Sequence, residues 1–292
     1  MDEPLVSVVI PTHNRKEKLI RLIKSIYQSN YPRDKLEIII VDDASTDDTS
    51  KMVKNLYPQV KVIRTNKEVF PAKARDLGAR CSTGEYLFFI DDDCMVLADT
   101  IIYLTKSALA IGEKAGIIAP VITYEKNPHK VWCAGGLYRP NNIYDLTHSP
   151  YQNLDLQEVQ AKHKLLDITY SPSAFLMKRS VYLETGGFNY KDFPIAWEEV
   201  DLALKVKRKG YRNVCVTEAV VTHDIEPDTK TRSSVRAYYQ GRSRTIFYRK
   251  YLRRKTLLLP IYLFGFFLQN RSIILTLKYL RGMLDGFFQY IY

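Results

Sequence analysis

The feature that most constrains the fold is an apolar segment, residues 85–90, that runs directly into Asp91, Asp92 and Asp93. Its aromatic and β-branched residues predict a buried strand. Carboxylates at the end of such a strand converge in a crevice, where like charges are unfavourable unless a cation lies among them. The pattern therefore predicts a site for Mg2+ or Mn2+, which take oxygen ligands and commonly bridge to phosphates. An acidic surface turn is the alternative interpretation.

A second apolar segment ends in carboxylates at Asp42 and Asp43, and it lies within an alternation of strands and helices. The segments are strand 6–10, helix 16–29, strand 37–43 and strand 60–64. This alternation predicts a parallel sheet covered by helices, and such sheets bind ligands at the C-terminal ends of their strands. Both acidic clusters are therefore predicted to lie on one rim of the sheet.

Cysteine spacing and the N-terminus indicate the compartment. The four cysteines have no C-x-x-C spacing, which predicts reduced thiols and no zinc site. No basic region followed by an apolar stretch precedes the first strand, so we expect no secretory signal. Together these observations predict that the active site faces the cytoplasm.

The end of the chain combines positive charge with apolar helices. Residues 230–255 hold ten Lys or Arg and no Asp or Glu, against a net charge of +11 for the whole chain. The apolar run at 257–268 is too short for a membrane-spanning helix of about 20 residues. Basic residues beside apolar, aromatic-rich helices are typical of proteins that lie on a membrane surface. The rings predicted to enter the headgroup layer are those of Tyr238, Tyr239, Phe247, Tyr248 and Tyr251.

The C-terminal segment is open to two alternative interpretations. Its helices would also be apolar if they packed on the catalytic domain or on a second subunit, and the second case would make the protein a homo-oligomer. A basic segment alone is typical of nucleic-acid binding, but the neighbouring apolar residues argue against a nucleic-acid partner. We therefore expect a peripheral protein on the inner face of the cell membrane.

Five motifs, taken in order, resemble the inverting family 2 glycosyltransferases of GT-A fold. They are VSVVIPTHNR (6–15), IIIVDDASTDDT (38–49), AKARDLGARCSTGEYLFFIDDDC (72–94), ETGGFN (184–189) and WEEVDLALKVKRKGY (197–211). The RGMLDGF segment at 281–287 is similar to rhamnosyltransferase-like members that act on lipid-linked or cell-surface glycans. This resemblance implies transfer of a hexosyl group from a nucleotide sugar, with inversion, to a glycan or a lipid-linked acceptor.

The resemblance also implies an α/β architecture. We expect a GT-A catalytic domain over residues 1–225, with a Rossmann-like, mostly parallel central sheet and flanking helices. Its nucleotide-binding half is predicted at 1–95 and its acceptor half at 96–225. Residues 226–292 are predicted to form a basic, apolar, amphipathic helical tail. A length of 292 residues with 46% hydrophobic content suits one large domain and an appendage.

The resemblance assigns residues to the donor and metal sites. Asp43 is implied to meet the nucleobase, and Arg75 to contact the base or the diphosphate. Asp76 departs from the family pattern, which usually has Asn there. The implied donor-binding residues are Pro11, Thr12, Asn14, Arg15, Asp42, Asp43, Arg75, Asp91 and Asp92. The implied ligands of Mn2+ or Mg2+ are Asp93, Asp91 and His223.

A carboxylate must accept the proton of the acceptor hydroxyl in an inverting transfer. The family's Glu-Asp motif aligns with Glu198 and Glu199, and Glu199 stands where the family has Asp. Glu199 is our preferred general base and Glu198 the alternative, whereas Asp201 is interpreted as a structural carboxylate of the helix start. Trp197 is a candidate for stacking on a sugar or for packing in the core.

Other classes of protein also place aspartates after apolar strands. A P-loop ATPase is excluded because no G-x-x-x-x-G-K-[ST] motif occurs, and a phosphatase would need an early D-x-D. A metal-dependent nucleotidyltransferase remains the best enzymatic alternative, although the first strand lacks the Gly-rich loop that such enzymes carry. A membrane-associated glycan- or nucleotide-binding protein without turnover is the non-enzymatic alternative.

Overall fold

The structure is a computed structural model that describes residues 3–142, 146–225, 233–252 and 259–289. The strands found within these ranges are β1 (Val6–Thr12), β2 (Leu36–Asp42), β3 (Lys61–Arg64), β4 (Tyr86–Ile90), β5 (Cys94–Val96), β6 (Ala115–Tyr124), β7 (Asn127–Cys133), β8 (Leu137–Tyr138), β9 (Thr147–His148), β10 (Leu165–Asp167), β11 (Ala174–Lys178) and β12 (Arg212–His223). The helices are α1 (Lys16–Tyr27), α2 (Thr49–Leu56), α3 (Phe70–Arg80), α4 (Thr100–Ile111), α5 (Leu156–Lys162), α6 (Arg179–Glu184), α7 (Glu198–Arg208), α8 (Ser234–Leu252), α9 (Leu259–Asn270) and α10 (Ile273–Phe288).

One mixed sheet organises the catalytic part of the chain. Its strand order is β10-β12-β6-β11-β4-β1-β2-β3, with β5 on β12 and β7 on β6, while β8 and β9 pair separately. Strands β4, β1, β2 and β3 are parallel, as the alternation of strands and helices predicts. Strand β11 runs antiparallel between β4 and β6. The predicted α/β fold with a central sheet and flanking helices is confirmed.

The register of the parallel strands brings the acidic segments to one rim. Thr12 at the end of β1 pairs with Asp42 at the end of β2. Strand β4 lies on the other side of β1 and ends at Ile90, immediately before Asp91. The two carboxylate clusters predicted from the sequence therefore lie at the same C-terminal edge, where parallel sheets bind ligands.

Helix α1 shows how the core holds this edge in place. Its Leu19, Leu22, Ile23 and Ile26 are fully buried, as their helical spacing predicts. They belong to one hydrophobic cluster with alternate residues of β1 and β4, including Phe88. Burying each such side chain stabilises the fold by about 1.5–3 kcal/mol. The loop between β1 and α1 is thus fixed at both ends by buried elements.

The C-terminal helices pack on one another through glycines. A Cβ atom on Gly282 of α10 would lie 1.9 Å from the carbonyl oxygen of Tyr238, and one on Gly241 of α8 would lie 2.1 Å from that of Tyr279. The two backbones therefore approach too closely for any side chain at these positions. In α9, the Phe266 ring stacks on Tyr279 of α10 at 4.3 Å between ring centroids.

Helix α8 packs on the catalytic domain. The Phe247 ring lies 4.3 Å from the Trp197 ring, and the Ser243 hydroxyl donates to the carbonyl of Ile195 at 2.9 Å. Phe247 and Tyr248 are fully buried, so the prediction that they enter a headgroup layer is wrong: Phe247 packs on Trp197, and Tyr248 packs on Tyr262 of α9. The predicted domain boundary between residues 225 and 226 falls where one described range ends. The cations at 230, 232 and 253–255 lie outside the described residues.

Candidate active site

Asp43, at the end of β2, anchors the segment that leads into α3. Its carboxylate accepts hydrogen bonds from the backbone N–H groups of Val69 and Phe70, at 2.7 and 2.8 Å, and from the Thr65 hydroxyl at 3.0 Å. Phe70 has a φ of +70°, a strained conformation for a bulky residue. Asp43 therefore fixes the loop beside the rim, and its contact with a nucleobase stays a prediction.

Asp42 joins the two loops that follow β1 and β2. It accepts from the Ser45 N–H at 2.9 Å, from the Ser50 hydroxyl and from Arg64 at 3.0 Å. Burial would raise the pKa of Asp42, but the hydrogen bonds from Ser45 and Ser50 and the charge of Arg64 hold it below its ordinary value. The Asn14 N–H in turn donates to Ser45 Oγ at 2.9 Å. Both predicted donor-binding loops are thereby held together.

The β1 end also contacts the aspartate triplet. The Thr12 hydroxyl, next to Pro11 in β1, donates to Asp92 at 2.7 Å. Arg15 Nη1 lies 3.0 Å from Asp92 Oδ1 and 2.8 Å from Asp93 Oδ2. Burial raises the pKa of Asp92 to about 6, although the charge of Arg15 opposes this shift. The structure therefore brings the predicted loop residues and two of the three aspartates together.

Asp93 and His223 form the best candidate metal centre. His223 Nε2 lies 2.9 Å from Asp93 Oδ1, and Nδ1 of the buried imidazole has no hydrogen-bond partner among the described residues. Burial would raise the pKa of Asp93, but the hydrogen bond and charge of His223, with the charge of Arg15, hold it below its ordinary value. Carboxylate and imidazole are suitable ligands for a divalent cation, so these residues fit a metal.

The thiol of Cys94 lies in the same group. Single ligand atoms of Asp93, Cys94 and His223 all lie within 4.8 Å of one another. Burial and the neighbouring aspartates raise the pKa of the Cys94 thiol well above its ordinary value. The sequence analysis gave this cysteine no chemical role, and its position directly after Asp93 was the available signal. Asp91 lies outside this group, although it was predicted as a ligand.

Asp91 instead binds Arg75, which connects the rim to α7. Arg75 Nη2 lies 2.5 Å from Asp91 Oδ1, and Nη1 lies 3.2 Å from both Glu198 Oε1 and Glu199 Oε1. The Arg75 side chain is only 5% exposed. Burial would lower its pKa, but the charges of Asp91, Glu199 and Glu198 raise it above the ordinary value. One buried guanidinium thus binds three carboxylates, one directly after β4 and two in the first turn of α7.

The two glutamates at the start of α7 have different surroundings. Burial, followed by the charge of Glu199, raises the pKa of Glu198 to about 8, and Glu198 Oε2 has no hydrogen-bond partner among the described residues. Burial also raises the pKa of Glu199, against the charge of Arg75. The Glu199 side chain is 16% exposed and that of Glu198 only 5%. Glu199 is therefore the more accessible of the two carboxylates.

Two further carboxylates of the motifs have structural contacts. Asp76 accepts from the Tyr182 hydroxyl and from Arg80 Nε, both at 2.8 Å, which gives this departure from the family pattern a structural role. Asp201 accepts from Lys250 and from Tyr251 of α8, in agreement with its interpretation as a structural carboxylate.

Helix α8 also contributes a positive charge that acts on the site, which the sequence did not predict. The positive charge of Arg236, in the first turn of α8, acts on the Glu199 carboxylate and favours its ionised form. Nothing in the spacing of the basic segment distinguished Arg236 from its neighbours. Trp197 packs on Phe247 of the same helix, so the core-packing interpretation of this ring is the one with a contact in the structure.

A family model described as Glycosyl transferase family 2 matches residues 7–184, well over half of the chain. The chain belongs to this family. The matched region of this family 2 glycosyltransferase contains the donor loops, Arg75 and the aspartate triplet, and it ends before Glu198 and His223.

Similarity to known proteins extends beyond the matched region. The probable glycosyltransferase YdaM of Bacillus subtilis is 26% identical over 238 residues, which are 77% of this chain and 52% of YdaM. The chain thus spans about half the length of that relative. A Campylobacter jejuni GalNAc(5)-diNAcBac-PP-undecaprenol beta-1,3-glucosyltransferase is 36% identical over 109 residues, 36% of this chain and 35% of that protein.

The fold is shared with a solved glycosyltransferase structure. The mannosyltransferase PcManGT from Pyrobaculum calidifontis, in complex with GDP-Man and Mn2+, aligns with a TM-score of 0.60 at 19% identity. The alignment covers 98% of this chain and 76% of that chain. At this identity the likeness shows the GT-A-type fold.

Proposed function

We propose that the protein transfers a hexosyl group from a nucleotide sugar to a glycan or lipid-linked acceptor, with inversion and with a divalent metal. The observation that carries this proposal is the Arg75 network, which links the carboxylate Asp91 at the donor rim to Glu198 and Glu199. Sugar transfer needs a polar rim that binds the diphosphate of the donor and a carboxylate that accepts the proton of the acceptor hydroxyl. Both must lie in one crevice.

Asp93 and His223 are the residues that we propose hold the metal. A bound divalent cation supplies positive charge for the departing nucleoside diphosphate. The imidazole favours Mn2+ over Mg2+, because Mg2+ prefers oxygen ligands alone. Mn2+ in the PcManGT complex agrees with this choice. Arg15, 2.8 Å from Asp93, is placed to contact the same phosphates once it leaves the carboxylates.

Glu199 is the proposed general base. In an inverting transfer the acceptor oxygen attacks the anomeric carbon opposite the leaving nucleoside diphosphate, and its proton passes to the carboxylate. Two features favour Glu199 over Glu198: its greater exposure, and the burial of Glu198, which raises the Glu198 pKa to about 8 and favours its protonated form. Arg75 holds both side chains towards the rim.

Replacing Asp93 with Asn tests the metal site. The change removes the charge of the central ligand, so we expect it to cost at least about 2 kcal/mol of nucleoside-diphosphate binding in the presence of Mn2+. Calorimetry with UDP and GDP, each with Mn2+ and with EDTA, measures the effect. EDTA is expected to weaken binding by the wild type much more than binding by Asp93→Asn. Equal affinity of the wild type under both conditions would show that no metal takes part.

We further propose that the protein works as a peripheral enzyme on the inner face of the cell membrane. Within the described ranges, none of the helices is both long and apolar enough to cross a bilayer. Helices α9 and α10 nevertheless carry large exposed apolar side chains, which we call the α9–α10 surface: Ile261, Phe264, Phe267, Leu268, Ile273, Ile274, Leu277, Leu284, Phe287 and Phe288. An exposed surface that holds ten large apolar side chains indicates an interaction site.

Charge favours a membrane over a second copy as the partner of this surface. Arg271, Lys278 and Arg281 lie in or beside α10, whose one acidic residue, Asp285, is bonded to the Tyr238 hydroxyl. Two copies joined through this surface would bring like charges together, whereas an anionic leaflet attracts each basic residue by about 1 kcal/mol. A lipid-linked acceptor, such as the one named for the Campylobacter jejuni relative, would be present at that surface.

Co-sedimentation with liposomes tests the proposed location. Phe264→Glu combined with Ile274→Glu changes side chains that are 63% and 70% exposed, so the fold is expected to survive. Loss of two apolar contacts, each worth about 1.5–3 kcal/mol, should reduce binding to anionic liposomes at least tenfold. The control Leu56→Glu alters an equally apolar residue of α2 that is 56% exposed, and should bind as the wild type does. Unchanged binding by the double variant, or a wild-type dimer that the double variant loses in lipid-free solution, would contradict membrane docking.

A further inference from the structure

A cleft of about 350 Å³ lies between the segment that begins α3 and the tail helix α8. Four cations, one acid and four aromatic rings contribute to its wall, with Val69 and Pro194. The charged residues are Lys67, Lys73, Lys191, Arg242 and Glu68, and the aromatic residues are Phe70, Tyr190, Tyr238 and Tyr239. None of these side chains takes part in the Arg75 network or in the candidate metal centre.

The cleft is joined to the proposed donor site through Phe70. The Phe70 N–H donates to Asp43, while its ring meets the Tyr239 ring edge-on at 4.8 Å. The left-handed backbone of Phe70 is a strained state, which costs on the order of 1–3 kcal/mol and concentrates at functional sites. One residue therefore connects Asp43 on the rim to the wall of the cleft.

The positive charge in the cleft is largely uncompensated. Within the ranges that the structure describes, Lys67 and Lys191 form no ion pair, and the Lys73 ammonium lies 5.5 Å from the centroid of the Tyr190 ring. Arg242 donates to the carbonyls of Asp192 and Lys191, at 2.9 and 3.1 Å, and to Gln289 Oε1, and these neutral acceptors orient the guanidinium without neutralising it. Among the residues that line the cleft, four carry a positive charge and one, the exposed Glu68, carries a negative charge. Asp285 adds a second acid beside the wall, where it accepts a hydrogen bond from Tyr238.

We propose that this cleft binds a phosphate-bearing sugar unit of the acceptor. The lysines and Arg242 supply charge-assisted donors for a phosphate, and the tyrosine and phenylalanine rings offer flat apolar faces to the C–H groups of a pyranose. A volume of about 350 Å³ suits one sugar phosphate rather than a longer polymer segment. The inference rests on the proposed glycosyl transfer for its biological meaning and names the chemical class of the acceptor.

Calorimetry on the full chain in EDTA tests this proposal, because chelation prevents a metal from retaining phosphate at Asp93 and His223. The probes are glucose 1-phosphate, glycerol 3-phosphate, glucose and inorganic phosphate. We expect glucose 1-phosphate to bind most tightly, and Lys67→Gln combined with Lys191→Gln to weaken it at least fivefold. Lys24→Gln combined with Lys106→Gln, two exposed cations of α1 and α4 that do not line this cleft, is the matched control and should bind as the wild type does.

The remaining outcomes distinguish a sugar phosphate from the other classes of ligand that the cleft could bind. Tyr239→Leu should reduce the preference for glucose 1-phosphate over inorganic phosphate, because it removes a ring but no charge. Tighter binding of glycerol 3-phosphate than of glucose 1-phosphate would overturn the sugar-phosphate assignment in favour of a polyol-phosphate acceptor. Equal binding by the wild type and the cleft variant, or no preference of the wild type for glucose 1-phosphate over glucose, would overturn the proposal. The assay contains neither donor nor metal, so its failure is distinguishable from failure of the proposed transferase activity.

Discussion

Glu199→Gln is expected to lower kcat for sugar transfer about 100-fold or more while leaving donor affinity nearly unchanged. The substitution keeps the shape of the side chain and removes its ability to accept a proton. Steady-state kinetics with a nucleotide sugar, combined with calorimetry of nucleoside-diphosphate binding, separates the two effects. An equal loss of donor affinity would indicate that Glu199 binds the donor and is not the general base.

Glu198→Gln is the matched control for this variant. Glu198 is largely protonated at neutral pH because its pKa is raised to about 8, so Gln resembles its resting state. We expect kcat to fall less than tenfold. If Glu198→Gln loses activity and Glu199→Gln keeps it, the general base is Glu198. Full activity of both variants would contradict a base in α7.

The pH dependence of the wild type adds a signature of the base. A general base works when deprotonated, so activity should rise with pH through the pKa of Glu199. Burial raises that pKa above the ordinary glutamate value of 4.5, so the acidic limb of the kcat profile should lie above pH 4.5. The limb should disappear in the residual activity of Glu199→Gln. A limb that persists in this variant would assign the titration to another group.

Arg75→Met should destabilise the fold by about 3–5 kcal/mol, because it leaves Asp91, Glu198 and Glu199 without their shared cation. Denaturant unfolding near pH 7.5 measures the loss. Arg80→Met is the matched control: Arg80 pairs with Asp76 at 2.8 Å but is 54% exposed, so its loss should cost less than about 1 kcal/mol. Similar effects of the two variants would show that the Arg75 network contributes little.

The sign of the pH effect on this network follows from Glu198. Its folded-state pKa of about 8 exceeds the ordinary value of 4.5, so between these values the folded state binds more protons than the unfolded state. The stability that Glu198 contributes is therefore complete below pH 4.5 and is lost as pH rises towards 8. Arg75→Met should be least destabilising at low pH, where the three carboxylates become protonated.

Much of the fold was predictable because its pattern is local. The apolar runs that end at Asp42 and at Ile90, with the helical spacing of Leu19, Leu22 and Ile23 between strands, correctly predicted parallel strands with carboxylates on one rim. The antiparallel insertion of β11 was not predicted, since strand pairing over long sequence separations leaves no periodic signal.

The organisation of the site was less accessible to sequence reasoning. Arg75 and Glu198 are 123 residues apart, and their contact depends on how α3 and α7 pack against the sheet. The basic segment suggested a free membrane-binding helix, yet α8 buries Phe247 and Tyr248 and its Arg236 contributes positive charge that acts on Glu199. Composition reports charge and apolar content, but only the packing determines which side of a helix meets the protein.

The most direct test of the proposed transferase activity identifies the phosphate product. The purified protein is incubated with Mn2+ and a panel of UDP-, GDP- and dTDP-sugars, with membrane extract as acceptor, and in parallel with nucleoside triphosphates and sugar phosphates. A family 2 glycosyltransferase of the kind proposed should release nucleoside diphosphate from at least one sugar nucleotide, and EDTA, Asp93→Asn and Glu199→Gln should each suppress that release. Pyrophosphate from a nucleoside triphosphate, with no nucleoside diphosphate from any sugar nucleotide, would contradict the proposal and favour a nucleotidyltransferase.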